Sequence, residues 1–207
     1  MTAGITYYHA LPVTPPVACV LQRLGYKKAS GPPPDDVLKT IDRFAAKLRV
    51  QGAFLRVPIT GTQAPKDVFW GDGTAISSEG LFGLLDGCAE AAFLASSAPD
   101  APALIAERFD AHAADEAVIL DAVAAQCADA GLDAILGMQG ALLRRTGLRF
   151  TRRRFSPGYG DVALSFQKNI YDRLMLGKLG MSIDETSFML SPEKSVLAVA
   201  GVLSIAE

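Results

Sequence analysis

A long alanine- and leucine-rich block, residues 101–145, constrains the fold more than any other stretch of this sequence. Its residues favour helix so strongly that we expect a helical block, with Gly131, Gly137 and Gly140 breaking or bending it. Segments of strand-like composition lie before and after the block and do not alternate regularly with helices. This order predicts an α+β fold rather than a parallel sheet built from βαβ units.

Four other segments have apolar residues spaced three or four apart, which predicts amphipathic helices. They are residues 15–26, residues 37–48 with Asp35 as a capping or first-turn residue, residues 78–96 starting at Ser77 or Ser78, and residues 161–177. In the third segment Cys88 lies on the apolar stripe, so we expect it in the core. In the fourth we expect four residues to face inward: Leu164, Ile170, Leu174 and Met175.

Shorter stretches predict strands and turns. AFLRVPIT, from Ala53, is extended in character, and Pro58 restricts it to an edge strand or a strand end. Gly71-Asp72-Gly73 predicts a turn between two short strands and lacks the third glycine of a dinucleotide-binding loop. Two β-type runs on either side of residues 191–194 predict a hairpin near the C-terminus.

Composition and charge limit the class of protein. With 207 residues, half of them apolar, the chain can bury a core as one large domain or two small ones. The net charge of -2 argues against a general nucleic-acid binder. Cys19, Cys88 and Cys127 are too far apart for a disulfide framework or a CxxC metal site. Since neither a signal peptide nor a membrane-spanning stretch is visible, we expect a soluble cytoplasmic protein.

Few residues offer catalytic chemistry. The histidines are His9 and His112, and the sequence lacks a phosphate-binding loop and the common nucleophile motifs. Residues 110–115 partly match the Asp-x-His-x-x-Gly pattern of corrinoid-binding domains, but Asp115 stands where the glycine belongs. We therefore expect His112 to be an exposed helix residue, and we predict neither a catalytic residue nor a metal site.

Arginine is concentrated in one part of the chain. Six arginines lie between residues 144 and 154, where the sequence is otherwise rich in alanine and leucine. Such a cluster is either a solvated face or a place where fixed positive charge is needed.

A predicted type II turn follows the arginines directly. In the stretch Ser156-Pro157-Gly158-Tyr159, proline fixes its own φ and glycine accepts a positive φ. Arg154 precedes the turn with a permanently charged guanidinium that can fork onto a carboxylate, and Tyr159 adds a flat ring with a hydroxyl. The residues alone fit either a structural turn beside a surface arginine or the rim of a pocket for a small zwitterion with a flat ring.

Residues 154–159, RFSPGY, match the Arg-x-x-x-Gly-Tyr motif of the activation domain of cobalamin-dependent methionine synthase. The likeness continues through three later segments: residues 180–183, 186–192 and 194–196. Upstream, CVLQRLGY and the LLDGC helix are similar to free-standing relatives of that domain, and the strongest similarity covers residues 150–202. The resemblance implies that residues 1–207 form a single activation-like domain, with helices packed on a small, mostly antiparallel sheet that ends in a C-terminal hairpin.

The same resemblance implies S-adenosylmethionine binding and the reductive reactivation, by remethylation, of a corrinoid cofactor. In the family the motif arginine engages the carboxylate end of the ligand, which assigns that role to Arg154. Gly158 and Tyr159 match the rest of the motif and would shape the groove. The backbone of Gly160 and Asp161 would offer hydrogen bonds to the ligand.

Other parts of the family pattern match less directly. An acidic residue on a central helix contributes to the synthase site, and Asp129 has a roughly matching position. The synthase domain has one more ligand-contacting strand after the hairpin, whereas this sequence ends at Glu207, so we expect weaker affinity or a substitute segment.

Because no corrinoid, pterin or homocysteine module is visible, a separate corrinoid protein would supply the cobalamin and a flavodoxin- or ferredoxin-type protein the electrons. The arginine cluster suits docking to such a partner, and we expect neither a nucleic-acid nor a membrane partner.

Two other functions compete with this interpretation. The first is a non-catalytic interaction module that keeps the fold and docks on a corrinoid protein without binding S-adenosylmethionine. The second is an ordinary small-molecule methyltransferase, against which the absence of a glycine-rich nucleotide loop argues.

Overall fold

A seven-stranded sheet forms the centre of the part of the chain described by this computed structural model, which comprises residues 4–26, 32–63 and 66–205. The strands of this sheet are β1 (Thr6–Tyr8), β2 (Gln51–Gln63), β3 (Asp67–Trp70), β4 (Ala75–Ser77), β5 (Glu90–Ser97), β6 (Leu148–Phe150) and β9 (Ser195–Ser204). Their order is β4-β3-β2-β5-β9-β6, with β1 paired to the start of β2, and every pairing in the described residues is antiparallel. The short strands β7 (Ser182–Ile183) and β8 (Leu190–Ser191) form a separate pair.

Helices cover both faces of the sheet. They are α1 (Val17–Arg23), α2 (Asp35–Ala45), α3 (Glu79–Leu85), α4 (Ala101–Asp110), α5 (Ala114–Arg144), α6 (Phe166–Leu174) and a 3₁₀ helix (Leu176–Leu179). Alternate residues of β5 and β9 face opposite ways, so Phe93 and Val199 pack with α3 and α6, whereas Leu94 and Ala198 pack with α2 and α5. Burying a valine, leucine or phenylalanine side chain in this way contributes roughly 1.5–3 kcal/mol. The α+β class is therefore confirmed, with the core divided between the two faces.

Strand β5 corrects the prediction of a helix over residues 78–96. Ser78 caps α3 as expected, since its Oγ accepts a hydrogen bond from the Leu81 N–H at 3.0 Å, but the helix ends at Leu85. The alanine-rich residues that follow form a strand in which every residue after Glu90 is buried. A strand covered on both faces does not alternate between apolar and polar residues, which made β5 look helical. Cys88 is buried, as predicted.

Helix α5 corrects one of the two alternatives expected for the three glycines, because they do not break it. It runs unbroken for 31 residues. A Cβ on Gly131 would lie 2.1 Å from Ser96 Oγ and 2.9 Å from Val50 Cγ1, so glycine here lets the helix approach the sheet closely. Gly137 is exposed, with nothing within 4 Å of such a Cβ. The glycines therefore differ in role, and tertiary packing outweighs their low helix propensity.

The prediction of a C-terminal hairpin is also wrong. Strand β8 pairs with β7, and β9 passes between β5 and β6 in the middle of the sheet. The two β-type runs are neighbours in sequence, but their composition alone does not identify the strand with which each one pairs.

Helix α6 starts at Phe166 and not near Asp161, where the prediction placed it. Ile170 and Leu174 are fully buried as expected, but Leu164 and Met175 are exposed because they lie outside the helix. His112 is exposed as predicted, although it occupies a turn between α4 and α5 with a φ of 55°.

The predictions for the remaining elements agree with the structure except at Pro58. The helices α1 and α2 and the turn between β3 and β4 are confirmed. Pro58 lies inside β2, at the point where pairing with β5 ends and pairing with β3 begins. Among the described residues, no helix is long and apolar enough to cross a lipid bilayer.

Candidate functional site

The three consecutive arginines occupy a bulge at the edge of the sheet. Thr151 donates its N–H to the Gly201 carbonyl at 2.9 Å, and Phe155 exchanges backbone hydrogen bonds with Val199 at 2.9 and 2.8 Å. Residues 152–154 thus lie opposite the single residue Ala200, and the extra length pushes them out of the ladder. The bulge frees Arg154 to reach the helix that covers this face of the sheet.

The guanidinium of Arg154 is held by two carboxylates of α5. Its Nη2 donates to Asp129 Oδ1 at 2.7 Å, and its Nη1 donates to Asp133. The Arg154 side chain is only 22% exposed, whereas the two aspartates are 54% and 63% exposed. The structure therefore brings together two of the predicted site residues, Arg154 and Asp129, and gives the three-residue cluster a net negative charge.

Asp133 was missed from the sequence. It follows Asp129 by four residues on a helix, and residues with this spacing lie one above the other on the same face. That spacing was the available signal, but only the fold shows that an arginine from the sheet edge reaches this face.

The predicted type II turn is present next to the bulge. The Ser156 carbonyl accepts a hydrogen bond from the Tyr159 N–H at 3.3 Å, and Gly158 has a φ of 89°. The Gly158 N–H donates to the Val162 carbonyl at 2.8 Å, so this donor is used within the loop. Tyr159 is 72% exposed and extends its ring from the turn.

The side chain of Asp161 has a structural role that the sequence did not indicate. Its carboxylate accepts hydrogen bonds from Ser78 Oγ at 2.9 Å and from the N–H groups of Glu79 at 2.5 Å and Gly80 at 3.2 Å. The Ser78 hydroxyl and these backbone donors hold the pKa of the Asp161 carboxyl below its usual range. Asp161 thus anchors the turn to α3, on the opposite face of the sheet from α5.

Two glycines allow this anchoring. A Cβ on Gly80 would lie 2.9 Å from Asp161 Oδ1 and 3.1 Å from Phe155 Cζ. Gly160 has a φ of 60°, a left-handed conformation in which glycine is favoured. The predicted site residue Gly160 is therefore explained by the shape of the loop, and Gly80 is a further residue that the sequence analysis missed.

An open cleft of about 430 Å³ lies between α5 and the start of β9. We call it the groove, and its lining includes Asp129, Tyr159, Gln126, Arg23, Glu193 and Lys194. Lys194 forms an ion pair of 2.5 Å with Asp121 of α5, which links the two walls. Charges of both signs beside an exposed aromatic ring suit a zwitterion with a flat ring.

Of the comparisons with known proteins, the one with solved structures found a match. No protein-family model and no curated protein matches the sequence. Among solved structures, a crystal structure of the MetH reactivation domain bound to AdoHcy matches 97% of this chain and 78% of that chain, with a TM-score of 0.70 and 13% sequence identity. At this identity the likeness shows the fold alone. The resemblance seen in the sequence is thus confirmed for the fold, which is shared with the MetH domain.

Proposed function

We propose that this protein binds S-adenosylmethionine and supports the reductive remethylation of a corrinoid cofactor carried by a separate protein. The observation that carries the proposal is the Arg154–Asp129 pair beside the groove, in a fold shared with a domain that was solved with AdoHcy bound. AdoHcy is S-adenosylmethionine without the transferred methyl group, so the two ligands share their amino-acid and adenosine parts.

Asp129 in the wall of the groove, together with Arg154, which pairs with it from outside the lining, fits the amino-acid end of such a ligand. Its carboxylate binds the Arg154 guanidinium, which offers a planar fork of donors, and its ammonium binds Asp129. Binding therefore weakens the existing ion pair between Arg154 and Asp129 and forms two new ones, from Arg154 to the ligand carboxylate and from Asp129 to the ligand ammonium. Tyr159 provides a flat, exposed surface against which the adenine ring can stack.

The protein's own residues bind and orient the nucleotide, and the partner's corrinoid supplies the redox chemistry. A corrinoid held by the partner would supply the redox chemistry, and coupling its uphill one-electron reduction to loss of the sulfonium methyl group would make the overall reaction favourable. The role of Arg154 and Asp129 is to fix the amino-acid end so that the sulfonium methyl is presented in one orientation. We place this reaction in the cytoplasm, with a flavodoxin- or ferredoxin-type protein as the electron donor.

Calorimetric titration with AdoHcy and with S-adenosylmethionine tests the proposal. Arg154→Ala should weaken binding by about 2 kcal/mol, or roughly thirtyfold in Kd, because a charge-assisted fork is lost. Arg144→Ala, which removes an exposed arginine at the end of α5, is the matched control and should change Kd little. Equal effects in both variants would indicate diffuse electrostatics, and unchanged affinity in Arg154→Ala would remove the site.

A second candidate function is a corrinoid-protein docking module that does not bind the nucleotide. One observation favours it: Asp129 and Asp133 already neutralise Arg154, as in a purely structural ion-pair cluster. The same titration separates the two, since a docking module would show no heat with either nucleotide.

A further inference from the structure

Five arginines surround one edge of the sheet. Arg144 and Arg145 are at the C-terminal end of α5, Arg149 is in the edge strand β6, and Arg152 and Arg153 are in the bulge. Among the described residues, β6 pairs only with β9, so its other edge is open. We call these five residues the arginine edge, and all of them are exposed.

The charge of the arginine edge is not neutralised within the described residues. None of its five members forms an ion pair there, whereas Arg154 beside them forms two. Residues 134–160 contain six of the chain's 20 basic residues and none of its 22 acidic ones. The arginine edge is therefore a local positive surface on a protein whose net charge is -2.

Apolar side chains accompany the positive charge. Leu142, in the last turn of α5, is 54% exposed, and Ile205, which follows β9, is 44% exposed. The Ile205 N–H donates to the Gly147 carbonyl at 2.7 Å, which fixes it beside the turn between α5 and β6. Arginine combined with exposed apolar residues is typical of protein–protein interfaces, where lysine is depleted and arginine enriched.

We propose that the arginine edge is the docking surface for an acidic face of another protein. A protein is a better fit than a nucleic acid or an anionic membrane, because the basic residues of this surface are all arginine and lie beside the exposed Leu142 and Ile205, which is the composition of protein–protein interfaces. The proposal extends the proposed function by giving the partner a binding surface, but it does not require nucleotide binding. Since the bulge leads directly into Arg154, a partner bound here would lie next to the groove.

A labelled poly-L-glutamate chain, followed by fluorescence anisotropy at low salt, is the probe for this surface. Arg149→Glu combined with Arg152→Glu should weaken its binding roughly tenfold or more, and binding to the unmodified protein should fall steeply as salt rises. The matched control is Lys39→Glu combined with Lys47→Glu, which changes the net charge equally at exposed positions of α2 and the loop after it. This control should bind the probe as the unmodified protein does.

Several outcomes would overturn the proposal. They are equal losses in the two double variants, tighter binding of a DNA duplex or of phosphatidylserine vesicles than of poly-L-glutamate, and no binding of the probe by the unmodified protein. Unchanged probe binding with self-association of the Arg149→Glu, Arg152→Glu variant would mean that the arginines only protect an open strand edge. AdoHcy titration of the same proteins reports on the proposed function separately, so the two ideas can fail independently.

Discussion

Arg154 links the edge of the sheet to α5 at the candidate site. It leaves the sheet in a bulge, and its guanidinium ends between two aspartates of α5. The family motif assigned Arg154, Gly158 and Tyr159 to the candidate site, and the Pro157-Gly158 pair correctly predicted a type II turn. The motif could not identify Asp133, because an ion pair between residues far apart in sequence depends on which helix covers which face of the sheet.

We expect Asp133 to position Arg154 without binding the ligand itself, because the part of α5 that lines the groove ends at Asp129, one turn before Asp133. Asp133→Asn should raise the Kd for AdoHcy up to about fivefold, since one exposed ionic contact to Nη1 is weakened. Binding of 5′-methylthioadenosine, which lacks the amino-acid end, should not change. Asp115→Asn, near the start of the same helix, is the control. Equal weakening of both ligands would mean that Asp133 acts through the fold as a whole.

Asp161 gives the protein a pH-dependent contact. Its folded-state pKa lies below its usual value of 3.8, so the cap on α3 stabilises the protein above that value and is lost as the pH falls through the folded-state pKa. Asp161→Asn should lower Tm by about 3 °C near pH 7, and the difference should shrink near pH 3. Thermal unfolding followed by circular dichroism measures both. A difference of the same size at the two pH values would contradict this role.

At the scale of elements, the sequence predicted secondary structure correctly where one face of a helix is buried and the other meets solvent. The amphipathic helices α1 and α2 were predicted for this reason. Strand β5 was not, because both of its faces are covered and its alanines favour helix. The unbroken α5 was missed because the sequence does not show that Gly131 faces β5 at close range.

Two glycines of α5 provide a matched test of this packing. Gly131→Ala should destabilise the protein by on the order of 1–3 kcal/mol, because the new methyl group would overlap Ser96 and Val50. Gly137→Ala should stabilise it by up to about 1 kcal/mol, because alanine favours helix and nothing lies within reach. Urea denaturation measures both free energies of unfolding. Changes of the same sign in the two variants would show that helix propensity, and not contact with β5, decides the effect.

On the scale of the whole molecule, the order of predicted elements was enough to give the α+β class. The pairing of strands was not predictable, because β9 inserts between β5 and β6, which are far from it in sequence. Two cysteines from different parts of the chain are buried: Cys127 lies in the core under α5, and Cys88 lies between α3 and β5 in the sequence. Burial raises the pKa of Cys88, and it raises that of Cys127 to about 11.

These burial differences predict how the thiols react. Only Cys19 is exposed, so one thiol per chain should react rapidly with a disulfide reagent near pH 8, and all three should react in denaturant. Cys19→Ser should abolish the rapid reaction. Rapid reaction of more than one thiol in the native protein would show that the packing around Cys88 or Cys127 opens readily.

Because β9 is central in the sheet but last in the sequence of strands, the sheet can be completed only late in the protein's synthesis. Strand β5 leaves the ribosome about a hundred residues before β9, the strand that it pairs with along its whole length. During that interval one side of β5 offers unpaired N–H and C=O groups and apolar side chains to any other incomplete chain nearby. We therefore expect the nascent polypeptide to engage chaperones until β9 has been translated.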